Sequence, residues 1–456
     1  MTPQDSLYRT YLAILNEELI PAMGCTEPIA IAYAAASARE LLGCLPEKVE
    51  VGVSQSIFKN ARSVIVPNTR RMKGVASAAA AGIVAGEASK KLEVISSVTD
   101  DQIASIHSFC ETVPVTVSLL ETPYLFDIVI CLEAGPQSAK TRITGHHTNL
   151  VYKEKNGEVL LDLLEEDTAP SEELKANEAG SSAQPDTGCA EMADRTALPA
   201  ADRSLLNIAS IFEFAETVCL DDVRDLLDRQ IAYNMAIAEE GLSHPHGANV
   251  GSTLMRFGGD SLANQAKAMA AAGSDARMDG LEMPVIINSG SGNQGITVSV
   301  PVIVYARHHG VSDEKLYRSL VLSNLISVHI KDPIGTLSAY CGAVSAGAAA
   351  GAGIAYLETG DYKTITHTVV NALAVVSGII CDGAKSSCAA KIAAAVEAGI
   401  FGYHMYLNGQ QFYGGDGILR KGIEQTLENI GELGRVGMEG TNDEIVRLML
   451  EDTRPC

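Results

Sequence analysis

The sequence predicts an α+β protein, in which an amino-terminal module of helices and antiparallel sheet precedes a larger all-helical domain. Three observations carry this reading. Up to residue 163, helical periods interleave with two-residue apolar alternation; from residue 205 onward, the apolar spacing is almost wholly helical. Between them, residues 164–204 lose apolar period and gather Glu165, Glu166, Asp167, Glu172 and Glu173. That stretch reads as an acidic, flexible insert or linker. The expected divisions are therefore 1–163, 164–204 and 205–456.

Each element follows from local pattern. Tyr8, Tyr11, Leu12, Leu15 and Leu19 recur at helical spacing and stop before Pro21. Thr26 suits a helix N-cap, with Pro28 in the first turn and an Ala-rich run to Leu42. Residues 49–53 and 63–66 alternate as strands, and a small-residue helix is expected over 73–91. Residues 113–119, 126–132, 139–144 and 149–152 resemble an antiparallel meander. The helical domain has periodic segments near 205–215, 219–240, 250–272, 294–308, 313–330, 335–357, 362–380, 386–399 and 417–433. Gly290, Gly310, Gly360, Gly383 and Gly414 punctuate it, and abundant Ala and Gly allow its helices to approach closely.

Composition narrows the function. A chain of 456 residues can bury more than one core. A net charge of −22 without a basic stripe argues against a nucleic-acid partner. The amino terminus, with Asp5, Glu17 and Glu18, does not read as a secretory signal. The longest apolar stretch, about 334–357, is mostly Ala and Gly and reads as a buried helix, not a membrane span. Ten cysteines without such a signal suggest reduced thiols in a cytoplasmic protein, used for metal binding or catalysis.

The chemistry gathers around cysteines set among small residues. Cys381 and Cys388 flank Asp382-Gly383-Ala384-Lys385-Ser386-Ser387, and Cys341 lies upstream. An unbroken helix would hold Cys381 and Cys388 about 10 Å apart along its axis. Gly383 offers a break, placing Cys381 at the end of one helix and Cys388 early in the next. Three thiolates without CxxC knuckles fit an iron–sulfur cluster with one coordination position open better than a structural zinc. The plainer alternative is three small buried hydrophobes.

Cys25 precedes a helix amino end, where the macrodipole and free N–H groups lower a thiol pKa. It can serve as a fourth thiolate, an acid/base or a substrate contact, with Thr26 and Glu27 beside it. Residues 288–295, Asn-Ser-Gly-Ser-Gly-Asn-Gln-Gly, open a helix and can offer backbone donors to a carboxylate. Arg277 can clamp the same group through its planar fork. Lys59, Asn60, Lys385 and the 243–247 segment are lesser candidates. His146, His147, His308 and His309 sit near element ends and read as solvated. Cys44, Cys110, Cys131 and Cys219 read as core or surface thiols, and neither Cys189 nor Cys456 is expected to be a ligand.

Taken together, Gly24-Cys25-Thr26-Glu27-Pro28, Ser274-Asp275-Ala276-Arg277-Met278, residues 289–295 and Cys381-Asp382-Gly383-Ala384-Lys385 resemble the L-cysteine desulfidase family. That family is a branch of the iron–sulfur serine dehydratase alpha-chain superfamily. The resemblance covers about residues 10–440 apart from the insert. It implies β-elimination without PLP, using a 4Fe–4S cluster to convert L-cysteine to pyruvate, sulfide and ammonia, with L-serine as the alternative substrate. A non-enzymatic iron–sulfur or thiol sensor is the competing reading.

Carried onto this chain, Cys341, Cys381 and Cys388 are the implied cluster ligands. Ser289, Ser291, Gly292, Asn293, Gln294, Arg277, Thr26 and Glu27 are the implied substrate contacts. Cys25 is the implied acid/base, with Lys385 a second catalytic candidate; Cys25 in place of Cys388 as a ligand is the alternative. The expected partner is a small amino acid, with neither nucleic acid nor membrane, in a chain that can form a homo-oligomer.

Overall fold

Alternating burial makes a sheet of the amino-terminal half, and continuous small-residue burial makes bundled helices of the rest. The computed structural model describes residues 1–164, 201–335 and 337–451. Most of the expected 164–204 linker, with Cys189, and the terminal Cys456 lie outside the described residues.

The chain opens with α1 (Ser6–Glu18), β1 (Pro21–Met23), α2 (Thr26–Leu42), β2 (Lys48–Val53), α3 (Gln55–Ala61), α4 (Gly74–Ala85) and α5 (Asp100–Thr112). Next come β3 (Val115–Leu119), β4 (Asp127–Ala134), β5 (Gln137–Thr144), β6 (Leu150–Lys155) and β7 (Glu158–Asp162). The second half begins with α6 (Ile208–Thr217), α7 (Leu220–Ser243), α8 (Val250–Phe257), α9 (Leu262–Met278) and β8 (Pro284–Ile286). It continues through α10 (Gly292–His309), α11 (Asp313–Lys331), α12 (Gly342–Thr359) and α13 (Tyr362–Val376). It closes with α14 (Cys388–Leu407), α15 (Ile423–Glu432) and α16 (Glu439–Glu451). The α+β class expected from the sequence is the class observed.

The main sheet has the order β3-β2-β4-β5-β6-β7. From β2 through β4 to β7 its neighbours are antiparallel, but β3 runs parallel to β2, so the expected meander holds only from β4 onward. Ile128, Ile130 and Leu132 of β4 are fully buried and join the core that contains the Ala-rich α2. Helix α4 presses onto α2 so closely that a Cβ at Gly82 would lie 2.1 Å from the Ala32 carbonyl oxygen. Residues 63–66 do not form a strand: only Ile65 makes a bridge, to Lys73, because the following turn holds Asn68, Arg70 and Arg71 at positive φ. Helices α3 and α5 were not anticipated.

A second core joins the later helices, and α1 belongs to it: Tyr8 and Tyr11 meet Phe214 edge-on at 5.1 and 5.5 Å. Within it, Gly347 and Gly351 of α12 meet Ala395 and Gly399 of α14; a Cβ at Gly399 would stand 2.2 Å from the Gly347 carbonyl oxygen. These contacts advance together along both helices, so α12 and α14 run the same way and their amino ends lie at the same end. The small β1–β8 ribbon, pairing Pro21 with Ile286 and Met23 with Pro284, ties the two halves together. Among the described residues, no helix is long and apolar enough to cross a membrane.

Candidate functional site

The β1–β8 ribbon decides where the site lies. It carries the chain from Met23 into Gly24 and Cys25 beside the turn that follows Ile286. Gly24 takes φ +68° against Pro67, where a Cβ would be 2.2 Å from the ring, so only glycine fits. Cys25, expected just outside the helix, is itself the N-cap of α2; Thr26 is the first helical residue and does not cap. The Thr26 hydroxyl donates instead to the Gly290 carbonyl oxygen at 3.0 Å.

Arg277, buried in the last turn of α9, joins three motifs. Its Nη2 donates to the Gly24 carbonyl oxygen at 2.6 Å and its Nη1 to Asn293 Oδ1 at 3.1 Å. A Cβ on Gly292 would come 2.4 Å from its Nε, which explains that glycine. Glu27 accepts from Asn60 Nδ2 at 3.0 Å, and its other carboxylate oxygen lies 3.2 Å from the Thr26 hydroxyl, sharing that one proton with the Gly290 carbonyl.

The 288–291 turn is closed by a bridge between Asn288 and Ser291, with Ser289 and Gly290 at positive φ. A buried amide ladder holds it from behind: Gln230 and Asn324 exchange hydrogen bonds, and Asn288 Nδ2 donates to Asn324 Oδ1 at 3.1 Å. Ser289 serves this turn more than a ligand, since its N–H donates to Glu18 at 2.7 Å and its hydroxyl to Asn288 at 3.0 Å. Ser291 is the N-cap residue of α10. Gln294 packs on Gly342, where a Cβ would be 2.5 Å from its Cδ, and so links the turn to Cys341.

The three carboxy-terminal thiols lie on the other side of this space. Cys341 is the N-cap of α12 and Cys388 the first residue of α14. Helix α13 ends at Val376, so Cys381 lies in the loop beyond, not at the helix end expected from sequence. Backbone bonds from Cys341 N to Ile379 O (3.1 Å) and from Cys381 N to Ala339 O (2.6 Å) set the two cysteines side by side. Their thiols are hydrogen-bonded, which favours the thiolate on Cys381 and holds the proton on Cys341. Cys388 packs with Cys25, Val64 and Met278.

Burial reverses one expectation. The Cys25 thiol, predicted to be acidic at a helix amino end, is pushed up to about 12 by desolvation, which outweighs the nearby Arg277. The Lys385 ammonium pairs with Asp382 and donates to the carbonyl oxygens of residues 382 and 383. Burial alone would raise Asp382, but Lys385 and Lys391 outweigh it and bring the carboxyl to about 2.

Two buried lysines face the Cys341–Cys381 pair. Lys59 donates to Asn442 Oδ1 at 2.6 Å and to the Leu337 carbonyl oxygen at 3.2 Å. Lys331 donates to the Gly335 carbonyl oxygen at 2.5 Å. Burial lowers both, Lys331 to about 8, while the two thiols oppose that shift.

The amino ends of α2, α10, α12 and α14 thus converge on one space, each contributing partial positive charge. Asn60 Oδ1, His147 Nε2, Arg277 Nε and Gln294 Oε1 around it are buried and have no partner among the described residues. Among those residues, no group of three His, Cys, Asp or Glu side chains could hold a single metal ion. The thiols are soft donors, and the cations and helix amino ends beside them would balance an anionic group.

Sequence reasoning ranked Lys59 and Asn60 low, missed Lys331, and took His147 as solvated. Lys331 looks in sequence like an ordinary basic residue at a helix carboxy end. The histidine prediction holds for His308 and His309, which are exposed, but the His147 ring packs edge-on to Phe126 at 4.8 Å with its Nε2 buried. Cys44 and Cys219 are exposed, and Cys110 and Cys131 are partly buried.

The family model for the serine dehydratase alpha chain matches residues 89–447. A UPF0597 protein of Desulfitobacterium hafniense is 52% identical over 450 residues, covering 99% of this chain and 98% of its own length. One from Treponema denticola is 42% identical over 457 residues, covering 99% and 100%. One from Shewanella oneidensis is 37% identical over 456 residues, again covering 99% and 100%.

Proposed function

The chain belongs to the serine dehydratase alpha-chain family, and from that premise we propose that it is a PLP-independent β-elimination lyase acting on L-cysteine. The products are sulfide and an aminoacrylate, which hydrolyses to pyruvate and ammonia. The observation that carries this reading is the convergence of Cys25, Cys341, Cys381 and Cys388 with four helix amino ends on a space edged by unpartnered polar atoms.

Cys341, Cys381 and Cys388 are the residues that would hold a 4Fe–4S cluster. Bound there, the cluster supplies a Lewis-acidic iron for the departing sulfur. The chain's own groups do the rest. The amino end of α10, with Ser291, Gly292 and Asn293, offers donors to the substrate carboxylate. Arg277 fixes Asn293 relative to Cys25, so binding group and reactive thiol keep one geometry. Glu27, held by Asn60 and Thr26, offers a buried carboxylate for the substrate ammonium. Burial keeps the Cys25 thiol protonated, which suits a substrate contact beside the thiols more than a base. Val64 and Met278 pack around it and limit water.

Burial raises the Cys388 thiol and the Lys385 ammonium beside it works against that shift, which suits a counter-charge to a thiolate more than a base. The test is anaerobic reconstitution followed by parallel assays of sulfide and pyruvate from L-cysteine and L-serine. Sulfide and pyruvate in equal amounts from L-cysteine support the reading. Turnover of L-serine alone makes it a dehydratase, and a fully loaded protein that turns over neither is not this lyase.

A further inference from the structure

The reading above leaves the group that removes the α-proton unassigned, and the inference made here rests on that reading. We propose that His147, on the turn between β5 and β6, is the general base of the elimination. Its Nε2 is buried and lacks a partner among the described residues. Its Cε1 lies 3.1 Å from where a side chain on Gly290 would begin, so the ring stands directly against the turn that leads into α10. Gly290 is also the residue to which Thr26 donates, placing His147 on the Cys25 side of the space.

The ring is held in place. Phe126 meets it edge-on at 4.8 Å and 70°. The turn is closed by Asn149, whose Nδ2 donates to the Thr144 carbonyl oxygen at 3.0 Å and whose N–H donates to that of His146 at 3.1 Å. The titratable groups facing it are Glu27, which favours a proton on the ring, and the adjacent His146, which opposes one; burial outweighs both and keeps the imidazole neutral. A neutral ring with hydrogen on Nδ1 presents a basic lone pair at Nε2.

The other candidates are less suited. Cys25 holds its proton, Lys59 donates to Asn442 and Leu337, and Lys385 is paired with Asp382. In the step assigned to His147, the Cα–H bond breaks and its proton goes to Nε2. The electron pair forms the Cα=Cβ bond, and the Cβ–S bond breaks with its pair leaving on sulfur.

The test uses His147→Gln in the reconstituted protein, with His146→Gln as control. His147→Gln should keep its iron and lose about 10²- to 10⁴-fold in kcat, the usual worth of general base catalysis, with added imidazole restoring part of it. His146→Gln should turn over like the parent. Independently, L-alanine, which lacks a leaving group, should shift the Cε1–H resonance of His147 in the parent protein. An active parent with undiminished turnover in His147→Gln and an unmoved His147 resonance overturns the assignment but leaves the lyase standing. A loaded parent that turns over no amino acid and shows no resonance shifted by L-alanine overturns the lyase and this assignment with it.

Discussion

Replacing Gly383 with alanine tests whether the thiol loop is seated against the amino-terminal module. Gly383 has φ +91°, and a Cβ there would lie 2.2 Å from the backbone carbonyl oxygen of Lys59. The backbone strain of an L-residue at positive φ costs about 1–2 kcal/mol. Overpacking against a fixed backbone adds about 1–3 kcal/mol. Neither can be relieved by rotating a side chain, because the obstacle is the main chain of α3. The sum, roughly 2–5 kcal/mol, falls on the loop that holds Cys381 and leads to Cys388. Where the loop escapes this strain by moving away from its liganding position, iron affinity falls by roughly 30- to 3,000-fold, at about 1.4 kcal/mol per tenfold. The assay is iron bound per chain after anaerobic reconstitution, with urea unfolding alongside. Gly378→Ala is the control, since a Cβ there meets nothing within 4 Å. Full iron loading and unchanged stability in Gly383→Ala would show that the loop does not sit on Lys59.

Three further outcomes follow from the same geometry. Arg277→Lys loses the fork that spans Gly24 and Asn293, leaving a buried acceptor unmet at about 1–3 kcal/mol. Its kcat/KM should fall about ten- to a hundredfold while circular dichroism stays unchanged. Asn324→Leu breaks the ladder behind the 288–291 turn and should cost about 2–4 kcal/mol in urea unfolding, because Gln230 and Asn288 both lose buried partners. Asp275 is raised to about 6 by burial, against which backbone N–H groups at the start of α8 act. A carboxyl whose folded pKa exceeds its unfolded value of 3.8 lends stability at low pH that is lost as pH rises through 6. Parent stability relative to Asp275→Asn should therefore fall between about pH 4 and pH 6 and stay level above; a difference independent of pH would contradict this.

Much of the fold was legible because its signals are local. The small-residue faces of α2 and α12 announced close-packed helices, and alternation in β2, β4 and β5 announced the sheet. The exceptions are set by distant partners. The three residues of β8 matter only because β1 pairs with them, and β3 runs parallel to β2 only through the intervening helices. Residues 63–66 carry a strand pattern, yet the positive-φ turn after them leaves a single bridge.

The site divides the same way. The thiols stood out because Gly, Ala and Ser surround them. The amino acids at residues 288–295 announced a turn into a helix, though not that Ser289 would be engaged by Glu18 and Asn288. His147 gave no signal, since its environment comes from Gly290 and Phe126 across the fold. Cys25 misled for a physical reason: the helix end was visible in the sequence, but the burial that outweighs it was not.

The most direct measurement is iron and acid-labile sulfide per chain in anaerobically reconstituted single-alanine variants of Cys25, Cys341, Cys381 and Cys388. The account predicts about four of each in the parent and in Cys25→Ala, where turnover alone is lost, and loss of the cluster in the other three. Full loading in all four variants, or loss confined to Cys25→Ala, would contradict it.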